Sequence, residues 1–352
     1  PVSLRLPMQY NPLGRSGLLV SDLCLGTMIF GEDSERSTPP DVATRMIHQF
    51  LDAGGTHIDT ADVYADGRSE EIVGRAIQGR RDRVVLATKV RFPRGDGPND
   101  AGLSRQHIMQ EVHASLRRLQ TDVIDLLYMH CWDPVTPLAE SLRAFDDLVH
   151  AGKVRYVGVS NFKAWQLMKG LSLSDANGWA RFIAGQYQYS LIERGIEDEF
   201  ADLCATEGVG LTPWGPLGGG FLSGKYSPDD RPDDASDGRI GVMGDEAEEA
   251  WHRRNTARNW DILEAVDAVA QTHDATHAQV ALAWLRAQPT VSSVIIGART
   301  PDQLSENLGA ATLSLTDDDL DRLTTASAPP ERYPYRFIDA YGARDIRAWA
   351  SA

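Results

Sequence analysis

Short apolar runs alternate along this chain with longer stretches in which apolar residues recur every three or four positions. The runs fall at residues 23–27, 56–60, 84–89, 123–129, 154–159, 182–186, 210–214 and 293–297, each the length of a buried strand. The stretches between them carry helical stripes, such as Ile108, Val112, Leu116 and Leu119, or Leu138, Leu142, Phe145 and Leu148. Two helices, at 256–271 and 277–288, are expected before the last strand, and another after Thr316, whose hydroxyl suits an N-cap. Strand followed by helix is the rhythm of parallel β/α units, and eight strands is the count that closes a barrel. Ahead of the first strand, MQYNPLGRSGLLVS reads as a hairpin turning at residues 14–17. The seven residues before Met8 precede a plausible start.

Four polar residues stand at or just past the ends of successive runs: Asp59 closes THIDT, Tyr64 follows in the loop, Lys89 closes VVLATK and His130 closes VIDLLYMH. In a parallel barrel the C-terminal strand ends converge on one mouth, so residues this far apart can share a pocket. A phenol is a poor acid near neutrality, but an adjacent ammonium stabilises the phenolate and eases proton donation. The aspartate would hold that ammonium charged, and the imidazole could hydrogen-bond and polarise a carbonyl oxygen. None of the four is a strong nucleophile flanked by a base, which disfavours acyl transfer, and reducing a carbonyl here would need a borrowed hydride. Singly, each has a plainer role: an Asp59–Lys89 ion pair, a loop tyrosine, a capping histidine. The set at strand ends reads as a proton-transfer site.

Length and charge narrow the alternatives. A chain of 352 residues fits one large barrel or two ordinary domains, and one α/β barrel is preferred; 42% hydrophobic content suffices for its core. A formal net charge of −15 argues against a nucleic-acid footprint or an anionic membrane surface. No run of about 20 apolar residues reads as a membrane span and no leader pattern opens the chain, so a cytoplasmic protein is expected. Cys24, Cys131 and Cys204 are an odd number without metal-like spacing. Core thiols are the default, with Cys131 beside His130 the one that could lie near the pocket. No carboxylate cluster surrounds the nine histidines, so no metal is expected. The stretch 227–244, rich in Pro, Asp, Gly and Ser, reads as a long mobile loop rather than a linker between domains.

The segments GTHIDTADVYADGRSEEIVGRAI, VVLATKV, VIDLLYMHCWDP, GKVRYVGVSNF, PWGPLGGGFLSGKY and IIGARTPDQLSENL resemble the aldo-keto reductase superfamily, in the expected order over residues 10–323. The resemblance implies a single (β/α)8 TIM-barrel domain with its bottom plugged by the hairpin, binding NADP(H) without a Rossmann fingerprint. It implies Tyr64 as general acid, Lys89 and Asp59 as the partners setting its pKa, and His130 as carbonyl polariser. Around the rim it points to Gly26 and Thr27 beside the nicotinamide ribose, to Ser160, Asn161 and Gln186 for the carboxamide, and to Trp214 as a stacking surface. Cap or turn roles for Ser160 and Asn161, and a core role for Trp214, are the structural alternatives. The family often carries Ser where this chain has Gly215, so a hydroxyl contact from that position is absent.

GPLGGGFLSGK lacks the P-loop spacing, but in this context Leu217, Gly219 and Lys225 could cradle the pyrophosphate, with the 227–244 loop folding over it. After Gly297, Thr300 reads as the N-cap of a last-strand helix with Gln303 as its capping-box partner. Arg299, just before that N-terminus, suits an adenosine 2′-phosphate, with Gln303 and Asn307 near the adenine; this favours NADPH over NADH. Ile29, Phe30, Phe92 and Trp132 are candidate walls for a small carbonyl or alcohol substrate. The aromatic tail, residues 328–352, either caps the mouth or packs outside. Nothing in the sequence sets the oligomeric state. Two rivals stand beside the reductase: a cofactor-sensing regulatory subunit, as in the channel-associated branch of the family, and a barrel lyase using Lys89 as a Schiff-base amine.

Overall fold

The computed structural model describes residues 8–34, 37–232 and 238–342. Strands β1 (Tyr10–Pro12) and β2 (Leu19–Ser21) form an antiparallel hairpin, with Tyr10 opposite Ser21. The next eight are parallel and lie side by side in chain order: β3 (Leu23–Gly26), β4 (His57–Asp59), β5 (Val85–Val90), β6 (Ile124–Met129), β7 (Val154–Ser160), β8 (Phe182–Gln186), β9 (Gly210–Leu211) and β10 (Val294–Ile296). β10 returns to pair with β3, Val294 opposite Leu23. The ring closes where Leu211 N–H donates to Thr290 O and Ser292 N–H to Leu211 O, both at 2.8 Å, and Ile295 N–H donates to Pro213 O at 3.0 Å. This is the (β/α)8 barrel that the alternating runs predict.

Several strands are shorter than their apolar runs. The seventh run, 210–214, yields a two-residue strand because Pro213 lacks an N–H for the ladder. The helices after it agree with the stripes: Ala257–His273 is capped by Thr256, His277–Arg286 by Thr276 and Asp317–Ala326 by Thr316.

Side chains alternate in and out along a strand, so the barrel interior is read every second residue. Ala87, Leu126, Tyr128 and Ala184 form an inner cluster with Leu13 and Val20 of the hairpin. The hairpin is thus the floor. Gly14 fits there with φ +59 because a Cβ would stand 2.6 Å from Gly208 O. Tyr128 fills the centre, its hydroxyl 2.9 Å from Thr212 Oγ1, and a Cβ on Gly158 would lie 2.6 Å from its ring. Two residues further along each strand comes the mouth layer: Ala87 leads to Lys89, Tyr128 to His130, Gly158 to Ser160, Ala184 to Gln186 and Thr212 to Trp214. Strand alternation thereby delivers polar groups from five strands to one opening. On the outer faces, Leu25, Ile58, Leu127, Phe145, Leu167 and Trp284 belong to the larger core beneath the helices.

Candidate active site

Lys89 is fully buried and its ammonium reaches three acceptors: Asp59 Oδ2 at 2.6 Å, Thr60 O at 2.8 Å and the Tyr64 hydroxyl at 3.0 Å. Gln186 Nε2 donates to the other carboxylate oxygen, Asp59 Oδ1, at 2.8 Å. His130 follows β6, its N–H donating to Val90 O at 3.1 Å. Its ring stands edge-on to Tyr64 at 5.8 Å between centroids, and to Phe92 at 4.7 Å. The four residues read from strand ends therefore meet in one place.

Tyr64 is not on a strand, and its position depends on a tight turn. Ala65 and Asp66 take φ values of 49° and 56°, and Gly67 one of 88°. Left-handed backbone at the two non-glycine residues costs on the order of 1 kcal/mol each. The turn is tied down where Arg94 Nη1 donates to Asp66 Oδ1 at 2.7 Å and Arg68 Nε to Ala65 O at 3.1 Å. Helix Arg68–Ala76 starts directly after it.

Burial and the Lys89 ammonium act on the Tyr64 phenol in opposite directions. Burial pushes the Tyr64 phenol up, and the Lys89 ammonium, which pulls it down, does not fully offset this; the phenol sits above its ordinary value rather than below it. The phenol is thus neutral, and Lys89 is placed to stabilise a phenolate at this position. Burial disfavours the Lys89 ammonium, but the Asp59 charge and the Tyr64 hydroxyl outweigh burial and hold it above the usual lysine range. Burial, then Lys89 and Arg91, keep His130 well below the ordinary histidine value, hence neutral at pH 7. Among the described residues its Nδ1 is buried without a partner, whereas Nε2 makes no protein hydrogen bond and is not enclosed. A neutral imidazole donating from Nε2 suits a carbonyl oxygen.

Beside this cluster, Ser160 Oγ donates to Gln186 O at 2.8 Å, and Asn161 Nδ2 reaches His130 O at 3.0 Å and Ser160 Oγ at 2.9 Å. Asn161 adopts φ 53°, which turns its amide back toward the mouth. Thr27 is fully buried, and its hydroxyl donates to Asp59 O at 2.9 Å; a Cβ on Gly26 would lie 2.8 Å from Ile295. Trp214 is half-buried on a cavity of about 340 Å³ that also touches Asn161, Tyr187 and Phe200.

Leu217 precedes the turn Gly218–Ser223, where Gly219 has φ 75°, and Lys225 is exposed with Nζ 4.9 Å from the Tyr226 ring centre. Beyond β10, a Cβ on Gly297 would meet nothing within 4 Å among the described residues, and Asn307 Nδ2 holds Gly297 O at 3.1 Å. Helix Pro301–Gly309 is capped by Thr300 as expected, but the side chain of Gln303 accepts from Arg299 N–H at 2.8 Å rather than from Thr300, one residue short of a capping box.

Of the four candidate walls, Phe92 stands against His130 and Ile29 is partly exposed. Phe30 is not a wall: it is fully buried in the outer core, because the turn after β3, fixed by Phe30 N–H on Thr27 O at 3.0 Å, directs it inward. Trp132 packs on Phe162 and Trp165. The described part of the tail, residues 328–342, contacts the segment after β8: Tyr335 donates to Glu199 at 2.9 Å and Arg332 lies 3.6 Å from Asp198, while helix Tyr335–Tyr341 exposes Phe337, Ile338 and Tyr341. Residues 343–352 of the tail, and 233–237 of the long loop, lie outside the described residues. Cys24 and Cys204 are buried, and Cys131 is partly exposed with Sγ 3.8 Å from Asn161 O.

Sequence reasoning missed Arg239. It lies within the Pro/Asp-rich stretch 227–244, yet its Nη1 lies 3.8 Å from Met28 Sδ, its Nε 2.5 Å from buried Glu249, and its charge is felt by the Tyr64 phenol. No periodicity marks a loop residue. Arg231 shares the same stretch, so charge alone does not single Arg239 out either.

Fold and site together define a (β/α)8 barrel protein whose mouth gathers a buried Asp–Lys–Tyr cluster beside a histidine. The profile of the aldo/keto reductase family matches residues 22–328, and the chain belongs to that family. It is 39% identical over 319 residues to an uncharacterised oxidoreductase of Bacillus subtilis (strain 168), covering 88% of this chain and 92% of the relative. It is 37% identical to a probable voltage-gated potassium channel subunit beta of Oryza sativa subsp. japonica (94% and 100% covered) and 33% identical to versiconal hemiacetal acetate reductase of Aspergillus parasiticus (93% and 99%). The family and its reductase-named members support an oxidoreductase of carbonyl groups. Among the described residues, no helix is long and apolar enough to cross a membrane.

Proposed function

We propose that the protein reduces an aldehyde or ketone to the alcohol with NADPH, in a reaction reversible in principle. The observation that carries this reading is the Lys89 ammonium shared between Asp59 Oδ2 at 2.6 Å and the Tyr64 hydroxyl at 3.0 Å, with His130 across from the phenol. Tyr64 gives its proton to the substrate oxygen, and Lys89 stabilises the phenolate left behind. Asp59, fixed through Gln186, keeps Lys89 charged, while neutral His130 donates a hydrogen bond to the same oxygen. When bound, the dinucleotide supplies the hydride.

The mouth fits such a cofactor. Among the described residues Asn161 Oδ1 accepts no protein hydrogen bond beside Ser160 and Gln186, and Trp214 offers a ring surface next to them. Gly26, Thr27, Leu217, Gly219 and Gly297 border the dinucleotide in this reading, and at Gly297 a Cβ would meet no described residue within 4 Å, which leaves its backbone open to close approach. Lys225, and Arg299 at the Pro301–Gly309 N-terminus, answer phosphate charge, with Gln303 and Asn307 on the adenine side. Ile29, Phe92 and Trp132 are the substrate walls in this reading, and a cytoplasmic location belongs to it.

Following nicotinamide absorbance with NADPH and NADH over a panel of carbonyl compounds tests the proposal. Turnover with NADPH is expected for some members, and none with either cofactor would favour the second reading, a cofactor-sensing subunit. The channel-subunit names of the rice and Arabidopsis thaliana relatives motivate that alternative. The Schiff-base route is disfavoured because it needs a neutral amine, and Lys89 is held as an ammonium.

A further inference from the structure

We propose that Ser69, given no role above, is the positioning residue that fixes the acceptors of Lys89, a role that rests on the reductase reading. Its hydroxyl is fully buried and sits at the centre of three contacts: Thr27 O at 2.8 Å, Thr27 Oγ1 at 2.8 Å and Thr60 Oγ1 at 2.9 Å. Each hydroxyl has one proton, which gives the chain a direction. Thr27 donates its hydroxyl proton to Asp59 O at 2.9 Å, and the one Ser69 proton is shared between the Thr27 carbonyl and hydroxyl oxygens, both 2.8 Å away. Thr60 therefore donates to Ser69. The relay leaves the end of β4 at Thr60 and returns to it at Asp59 O, closing a loop around the two residues whose side-chain carboxylate and main-chain carbonyl hold the ammonium.

Ser69 also lies in the first turn of helix Arg68–Ala76, directly after the left-handed turn that carries Tyr64. Its neighbour Glu70 accepts from Thr88 Oγ1 of β5 and from Arg118 Nε, both at 2.6 Å. The helix start is thereby pinned to β3 and β4 by Ser69 and to β5 by Glu70. With its far end anchored, the strained turn keeps the phenol within reach of Lys89. Without the Ser69 hydroxyl, Thr60 and Thr27 lose a shared partner in a dry site, and the strands bearing the tetrad lose their link to that turn.

The test uses Ser69→Ala, Thr60→Val (isosteric, removing the proton given to Ser69) and the double variant. We expect kcat to fall about tenfold in each, with NADPH affinity, read by tryptophan fluorescence, within about twofold of the parent. The double variant should fall no further than the worse single, as members of one relay do. Independently of activity, hydrogen exchange of the Lys89 ammonium, followed by nitrogen-15 NMR near neutral pH, should accelerate at least about fivefold in each single variant. Unchanged Lys89 exchange, or additive losses in the double variant, would overturn the proposal. If Ser69→Ala does not fold, Thr60→Val carries the same comparison. Were the parent to turn over no carbonyl, the functional reading would fail while the exchange experiment still decided the role of Ser69.

Discussion

The two sides of the barrel mouth are built on opposite terms. On the β4–β6 side, Asp59, Lys89 and His130 project from strand ends and are buried, and Asp59, Thr60 O and the Tyr64 hydroxyl are locked around the Lys89 ammonium by hydrogen bonds of 2.6–3.0 Å. On the β9–β10 side the groups facing outward stand on loops: glycines 218–220 have positive φ, Lys225 is exposed, and Arg239 arrives from the loop that follows the seventh strand. In the proposed reading the contrast separates two tasks. Proton transfer requires groups held in advance, because catalysis falls steeply with misplacement. A large ligand that enters and leaves requires a rim that gives way.

That contrast can be broken from the rigid side with the largest effect. Lys89→Met removes the ammonium but leaves the buried Asp59 carboxylate, so kcat should fall about a thousandfold and stability by about 3–5 kcal/mol. Steady-state kinetics and denaturant unfolding check both, and a stable, active variant would show that the ion pair is incidental. From the loop side, Arg299→Ala should weaken NADPH about thirtyfold while leaving NADH within about threefold, with no change in stability; this corresponds to loss of one charge-assisted phosphate contact. Equal losses for both cofactors would remove Arg299 from the 2′-phosphate.

A smaller effect is expected from pH. Burial, and then Lys89, depress the folded-state value of His57 to about 3, and His130 is likewise well below 6.5. Both histidines are neutral when folded and bind protons more readily once unfolded. Stability is therefore complete above about pH 6.5 and falls as the pH drops below it, by up to about 1.4 kcal/mol per pH unit for each histidine. Urea midpoints at pH 7 and pH 5 measure the slope, and His57→Gln should flatten it. The smallest expected effect is in the 227–244 loop, which should gain protection from hydrogen exchange when NADPH is added; equal protection with and without it would remove the loop from cofactor covering.

The rigid side is also the legible one. Apolar runs mark strands, their ends mark the mouth, and a polar residue at each end is conspicuous, so residue order alone points to Asp59, Lys89 and His130. The loop side offers no period. Arg239 sits in a Pro/Asp-rich stretch that carries no pattern to single it out, and the Gln303 bond to Arg299 N–H differs by one residue from the capping box the spacing implies. Phe30 fails for a different reason: a residue just past a strand end can turn to the mouth or to the outer core, and apolarity suits either. The net rise of the Tyr64 phenol depends on how deeply it is enclosed, which residue types do not record. The cofactor-side candidates come from the family resemblance, because pattern alone leaves them open.

The central claim is that Tyr64 gives the proton, and Tyr64→Phe addresses it with the loss of one oxygen atom. NADPH oxidation should be measured with the best carbonyl compound found for the parent, alongside NADPH binding by tryptophan fluorescence. The account predicts binding within about twofold of the parent and turnover reduced about a thousandfold. Turnover within a few-fold of the parent would contradict it, because the proton would then have to come from another group.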